Sequence, residues 1–336
     1  MESWSNLAMV TSTLLYLLAM CAHAAEWAAA RGTVPADSVP AKAVPARADA
    51  DARVRVGAQV ASTSVGSAAT IEEVGPGGPP GERAPAEARV DLFGRIGIAL
   101  TVIGVLTHLT GFVLRGLAAD RFPWGNMYEF TTATLLFAAI CYLVLATRFR
   151  MRWLGLPVTL LLAVGQGLAV TVFYVAVAPL VPALYSVWFI VHIVAAAASG
   201  AAFNLGGIAS ILYLIRERAE RRGHVGGYLG RMPAAKSLDT FAYRVHAFAF
   251  PLWTFTVAAG AVWADYAWGR FWGWDPKETW SLVTWVVYAA YLHARATAGW
   301  KGRRAAWLAV LGVATFWFNF IGINLLVSGL HSYAGI

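Results

Sequence analysis

Residues 184–222 read LYSVWFIVHIVAAAASGAAFNLGGIASILYLIRERAERR. No Asp, Glu, Lys or Arg occurs from 184 to 215, and then the segment RERAERR (216–222) carries six charges in seven residues. About 20 predominantly apolar residues are enough to cross a bilayer core. The stretch therefore predicts a membrane span closed by a basic end. Working outward, seven further apolar runs of similar length occur, at 5–25, 93–114, 127–147, 153–175, 241–263, 279–298 and 305–328. The expected fold is all-α, a polytopic membrane protein of about eight transmembrane helices.

Composition agrees with this reading. Of 336 residues, 59% are hydrophobic and only 13% charged, which excludes a soluble enzyme. The net charge of +8 suits anionic partners such as nucleic acid in principle, but its placement decides otherwise. If RERAERR and the segment WKGRR (300–304) are both cytoplasmic, 22 Lys and Arg fall on that side, and only Arg115, Arg121, Arg270 and Lys277 fall outside. Such asymmetry is the signature of membrane orientation, and it predicts external termini and no nucleic-acid partner. The two cysteines, Cys21 and Cys141, lie in apolar runs without a C-x-x-C pair and read as small lipid- or core-facing residues.

Three units follow: an N-terminal transmembrane helix (1–30), a disordered cytoplasmic linker (31–90) and a seven-helix functional domain (91–336). The linker is rich in Ala, Pro, Gly and Val, with seven basic and seven acidic residues and no sustained period. Ala22-His23-Ala24 also fits a signal-peptidase site, but Glu2 and the absence of a basic n-region favour a retained helix.

The chemistry concentrates in residues 263–280, WADYAWGRFWGWDPKETW, expected on the outer face. Seven of the fifteen tryptophans lie between 253 and 285. A helix start closes the stretch, with Asp275 as N-cap, Pro276 at the first helical position and Glu278 completing a capping box. Any one of these tryptophans suits an interfacial belt. As a set, Trp268, Trp272, Trp274 and Trp280, beside Asp275 and separated by Gly269 and Gly273, suit a platform for one flat hydrophobic partner. A porphyrin has such a face. The helix N-terminus, Arg270 and Lys277 can attract its carboxylates.

Histidines form the second constellation, since ionisable groups within a bilayer are costly and mark function. His192 lies near the outer end of the fifth span and His331 follows the eighth, both on the tryptophan-loop side. Two neutral imidazoles from different helices can occupy opposite axial positions of a heme iron. His293 comes 17 residues after Pro276, or roughly 25 Å down the helix, and suits an inner entry site for heme. Bland readings stand beside these. His108 and His246 can simply hydrogen-bond between helices, His224 sits in a basic loop, and His23 can snorkel to an interface. At Pro123-Trp-Gly-Asn-Met-Tyr-Glu129, Asn126 and Glu129 form another capping box, which leaves a role for Glu129 toward a heme carboxylate as the weaker reading.

The segment WGRFWGWDPKETW resembles the tryptophan-rich WWD signature of the heme-handling proteins of cytochrome c biogenesis. The eight-span layout, NMYE and the terminal GLHSYAG are similar to the CcsA (ResC) branch of System II, whose actinobacterial members are often labelled CcsB. The resemblance covers about 91–336, while 1–90 departs from it. It implies a plasma-membrane protein with the WWD loop and C-terminus outside, working with a ResB-type (CcsB-type) subunit as the heme-binding part of a holocytochrome c synthetase. Heme b would be both substrate and ligand. An apocytochrome c bearing C-x-x-C-H would receive it, and thiol-reducing proteins would act indirectly. The resemblance also places the external family histidines on His192 and His331, and the transmembrane one on His293. The axial partner of His293 stays open between the second subunit, His108 and His246.

Bound at both faces by histidine, heme would be positioned with its vinyl groups toward the incoming thiols, so proximity supplies much of the acceleration. No side chain emerges as a catalytic acid or base. Two other classes remain: a heme transporter or chaperone of the CcmC type without ligase activity, and a b-type electron-transfer cytochrome pairing His246 with His293.

Overall fold

The computed structural model describes residues 1–32 and 80–331, with side chains from residue 85 in the second stretch. Most of the expected linker, 33–79, and the last five residues lie outside the described residues. The helices are α1 (Glu2–Ala29), α2 (Pro80–Ala119), α3 (Met127–Arg148), α4 (Gly155–Thr171), α5 (Val187–Arg221), the single turn α6 (Tyr228–Arg231), α7 (Ala235–Trp268), α8 (Pro276–Ala296) and α9 (Arg303–Trp317). A π-helical turn, Phe318–Gly322, carries α9 on into α10 (Ile323–Leu326). Among the described residues there is no strand.

Seven of these segments are long and apolar enough to cross a membrane. The eighth long helix, α8, has the length at 21 residues, but Lys277, Glu278, His293 and Arg295 make it more polar than the rest. Several helices outrun the apolar runs that predict them. The helix α2 begins at Pro80 rather than near 93, and α5 continues through RERAER to Arg221. Arginine and glutamate are good helix formers once clear of the bilayer. The pairs Arg216–Glu220 (2.8 Å) and Glu217–Arg221 (2.7 Å) at i,i+4 support the extension of α5.

Because the helices alternate in direction, their ends collect into two rims. One holds the start of α1, the loops 120–126, 172–186 and 269–275, and the segment 327–331; it is the tryptophan-loop rim. The other holds the ends of α1, α3, α5 and α8 and is the basic rim. In lipid, helices gain little from apolar burial against one another, so small residues that permit close approach do much of the work. Between α1 and α2 this is periodic. A Cβ at Gly97, Gly104 or Gly111 would lie within 3.2 Å of His23, Tyr16 or Met9 respectively, so side chains spaced seven apart on α1 sit in glycine hollows spaced seven apart on α2. The core has two main parts. Tyr16, Leu135, Tyr142, Leu154 and Leu162 fill the α1–α4 side. Phe203, Trp253, Tyr288, Tyr291 and Phe316 fill the α5–α7–α8–α9 side, where Phe203 stacks on Tyr288 at 3.9 Å between centroids.

Two expectations, for His23 and for the capping box at Asn126, resolve differently. His23 does not snorkel: it is fully buried, with Nδ1 2.8 Å from the Glu26 carboxylate and Nε2 3.4 Å from the Tyr142 hydroxyl. A chain that turns inward against Gly97 and Gly155 cannot reach the headgroups. The helix α1 also runs unbroken through Ala22-His23-Ala24 as a packed member of the bundle. At Asn126 only half of the capping box forms. The Asn126 side chain accepts from Glu129 N–H (2.9 Å), while the Glu129 carboxylate accepts from Gly125 N–H (2.8 Å). That carboxylate is fully buried and also accepts from Arg115 Nε (2.9 Å) and Arg121 Nη1 (2.8 Å). Its acceptor capacity is spent within the protein, which leaves the structural reading of Glu129.

Candidate functional site

On the tryptophan-loop rim, α5 starts cleanly because Ser186 caps it, its hydroxyl accepting from Trp188 N–H at 3.2 Å. This sets His192 one and a half turns inside. The helix α7 ends where Gly269 adopts a left-handed conformation (φ +71°), and α8 starts at the predicted capping box. Between these two ends the loop is tied down by Glu278, whose carboxylate accepts from Gly273 N–H (2.8 Å) and Asp275 N–H (3.1 Å). The residue before the cap, Trp274, is held at φ +60°, a conformation costly for a bulky side chain.

These ends enclose a cavity of about 1170 Å³, including its open side, between α5, α7, α8 and the π-turn. Its walls are largely aromatic: Trp124, Trp253, Trp263, Trp268 and Trp272, with Phe320 from the π-turn. His192 and His331 both line it. Trp263, 2% exposed, lies against both of them. The His192 ring stacks on it (5.7 Å, 20°) and the His331 ring meets it edge-on (5.6 Å, 68°), while Trp268 closes on His331 at 5.0 Å.

Each imidazole has its tautomer set. Nδ1 of His192 donates to the Thr256 carbonyl (2.8 Å), and Nδ1 of His331 donates to Asp275 Oδ2 (2.8 Å). The lone pair is therefore on Nε2 in both rings, the arrangement by which ligating histidines are commonly oriented. Close approach of α5 to α7 makes the first of these possible: a Cβ at Gly260 would come within 2.7 Å of His192 Nδ1. Asp275 does more than cap α8. Its carboxylate also accepts from Lys277 N–H (3.2 Å) and Leu330 N–H (2.7 Å), pinning the segment after α10 to the start of α8.

The titration of this pair follows from those contacts. Burial raises the Asp275 carboxyl, but hydrogen bonds from His331 and from the Leu330 and Lys277 amides outweigh it and hold it down at about 2. Burial lowers His331 below its ordinary value of 6.5 by more than the hydrogen bond to Asp275 raises it. At neutral pH the couple is a carboxylate and a neutral imidazole, the form in which histidine binds a metal.

Two cations flank the loop, and they differ. Arg270 pairs with Glu278 at 3.4 Å and lies over Trp268. Lys277 lines the cavity, with Nζ donating to Asn324 Oδ1 (2.7 Å) and 5.9 Å from the Phe320 ring centre.

Of the residues singled out from sequence, the structure brings together His192, His331, Trp268 and Trp272 on the cavity, with Asp275 behind His331. Trp274 is 68% exposed and edge-on to Trp272, and Trp280 packs on Phe318 at 4.2 Å; neither lines the cavity. His293 is exposed in the last turn of α8, near the basic rim. His246 is fully buried beside Tyr288 and Tyr291, and His108 is fully buried with Nδ1 3.2 Å from the Tyr16 hydroxyl. Sequence reasoning missed Trp253, Trp124, Asn319 and Asn324 as cavity residues. A signal existed on α7, where Trp253, Val257, Gly260, Ala261 and Ala264 recur at helical spacing along one face. None existed for the π-turn, whose widened backbone brings Asn319 and Phe320 to the wall; such turns recur at functional sites.

A family model described as cytochrome C assembly protein matches residues 109–331, which include every histidine and tryptophan of the cavity. The chain belongs to that family. Among curated relatives, a protein named cytochrome c biogenesis protein CcsA from Guillardia theta is 37% identical, over 71% of this chain and 85% of the relative. Proteins of the same name from Gloeobacter violaceus and Chlamydomonas reinhardtii are 35% and 37% identical. They cover 74% and 71% of this chain, and 89% and 69% of their own lengths. The family match begins inside α2, so α1 lies outside it.

Proposed function

We propose that this chain acts in c-type cytochrome biogenesis by binding heme b in the cavity beneath the tryptophan loop and presenting it there for covalent attachment to an apocytochrome c. One observation carries the reading: His192 on α5 and His331 after α10 flank Trp263 at one aromatic cavity, each with its lone pair on Nε2. A bare transition-metal ion in a protein usually takes three or four protein ligands, and among the described residues no three His, Cys, Asp or Glu cluster to hold one. An iron already held by four porphyrin nitrogens needs only two, and the aromatic walls suit the macrocycle. Lys277, on the cavity wall, offers an amine that a propionate would hold in its protonated form, whereas Arg270 is engaged by Glu278.

The chain's part in the chemistry is positioning. When heme is bound, each thioether forms by addition of a cysteine S–H across a vinyl C=C, sulfur joining one carbon and hydrogen the other. Two fixed histidines and a rigid tryptophan wall hold the ring while the C-x-x-C-H segment docks, and the histidine of that segment can replace one of them to release product. His293, exposed near the basic rim, fits an entry site completed by a ResB-type subunit, since His108 and His246 are buried in other helix contacts. Heme then passes from the cytoplasmic to the outer face of the plasma membrane. The electron-transfer reading has less support. His246 packs on Tyr288 and Tyr291, and His293, two residues on from Tyr291, falls on the opposite side of α8.

The test is the absorption spectrum of the protein in mild detergent, reconstituted with heme alone and with its second subunit. His192→Gly and His331→Gly should each lose a bis-histidine ferrous spectrum, and added imidazole should restore it. Unchanged spectra in both variants would remove heme from this cavity.

A further inference from the structure

At the basic rim, a second groove runs between the end of α5 and the start of α9, enclosing about 1190 Å³ with its open side. Its floor is apolar: Ile211, Ile215 and Trp307 are 46%, 47% and 59% exposed on the outside of the bundle. One to two turns farther along α5 the lining becomes basic, with Arg218, Arg221 and Arg222, and Arg303 joins them from α9. Glu217 is the one acid in this lining. It is committed to Arg221 at 2.7 Å and faces Arg303 at 3.9 Å. Among the described residues, neither Arg218 nor Arg222 pairs with an acid. The first turn of α9 adds to the positive potential, because its N-cap is Gly302, which offers no side chain to its N–H groups.

Basic side chains at the end of a span need only water to be satisfied, and most serve orientation alone. This group differs in converging from two helices on one groove whose apolar floor continues toward the bilayer interior. We propose that the groove is a binding site for an anionic phospholipid, its phosphate held by Arg218, Arg222 and Arg303 and its acyl chains lying along Ile211, Ile215 and Trp307. Charge complementarity selects the occupant: four arginines against one glutamate favour an anionic headgroup, and the exposed floor suits hydrocarbon. Bidentate guanidinium pairing suits phosphate oxygens better than a point charge does. The site lies on the opposite rim from the aromatic cavity and does not depend on what that cavity binds.

Native mass spectrometry of the full-length protein tests it, after equilibration with mixed micelles of phosphatidylglycerol and phosphatidylcholine. Wild-type protein should retain phosphatidylglycerol in preference to phosphatidylcholine. Arg218→Gln/Arg222→Gln should weaken that preference by about fivefold for each arginine removed, whereas Arg148→Gln/Arg150→Gln, at an exposed basic turn of the same rim, should leave it intact. Both pairs are exposed, so both variants should fold, which an unchanged size-exclusion profile checks. Equal retention of the two lipids, or equal loss in both double variants, overturns the proposal. So does displacement of the preference by free inorganic phosphate without any dependence on acyl chains.

Discussion

At the scale of single residues, Asp275 joins three tasks that the sequence lists separately. It caps α8, anchors the backbone at Leu330 and fixes the tautomer of His331. Asp275→Asn keeps the shape but offers an amide that can donate to Nδ1, which moves the ring proton to Nε2 and blocks ligation there. Outer-sphere partners of this kind typically change metal affinity on the order of 10–100-fold, so heme affinity should fall by that order while His192→Gly shows its own, separate loss. Optical titration with heme gives both values. The same couple sets a pH dependence. His331 titrates below 6.5, so ligation by His331 should survive mild acidification and fail only below that value. Asp275 behaves as a depressed carboxyl does: its stabilising contribution is complete above its ordinary value of 3.8 and is lost as pH falls through about 2. Release of heme between pH 7 and 8 in a spectral titration would contradict this ordering.

At the scale of elements, the tryptophan-loop rim is braced by a buried ion cluster. Glu129 on α3 holds Arg115 of α2 and Arg121 of the loop, while Arg115 also reaches the Val175 carbonyl (2.7 Å) and Glu2 of α1 (3.4 Å). Removing one partner from such a cluster strands the others in low dielectric, at a typical cost of about 3–5 kcal/mol. Glu129→Gln should therefore lower the apparent melting temperature in detergent markedly and loosen the neighbouring loop at Trp124. Arg115→Met/Glu129→Leu should lose less than Glu129→Gln, because it strands one arginine rather than two. A Glu129→Gln protein melting like wild type would show that the cluster adds nothing. Little of this was legible in advance. Hydropathy marks where helices lie, and NMYE marks a helix start, but nothing local in Arg115 or Glu2 announces a partner across the fold. His23 shows the same limit, since only the glycine hollows at Gly97 and Gly155 explain why it turns inward. The tryptophan loop and its capping box were readable because their signals are local; Trp253 and the π-turn depend on how α7 and α9 meet.

At the scale of the whole molecule, the alternation of helices puts His192, His331 and the tryptophan loop on one rim and RERAERR, WKGRR and His293 on the other, and the charge asymmetry predicts which rim faces the cytoplasm. If the basic rim faces the cytoplasm and heme is captured there, it has to traverse the length of α8 to reach the cavity, and the two rims become entry and exit. Single cysteines read this directly once Cys21 and Cys141 are replaced by alanine, which their exposed and half-buried positions permit. Trp274, 68% exposed beside the cavity, and Ala298, exposed in the turn after α8, report opposite rims. In intact cells Trp274→Cys should react with a membrane-impermeant maleimide without permeabilisation, and Ala298→Cys should react only after it. The reverse pattern would invert the bundle and with it the direction of heme passage. Equal labelling of both before permeabilisation would mean that the rims do not face opposite sides of a membrane.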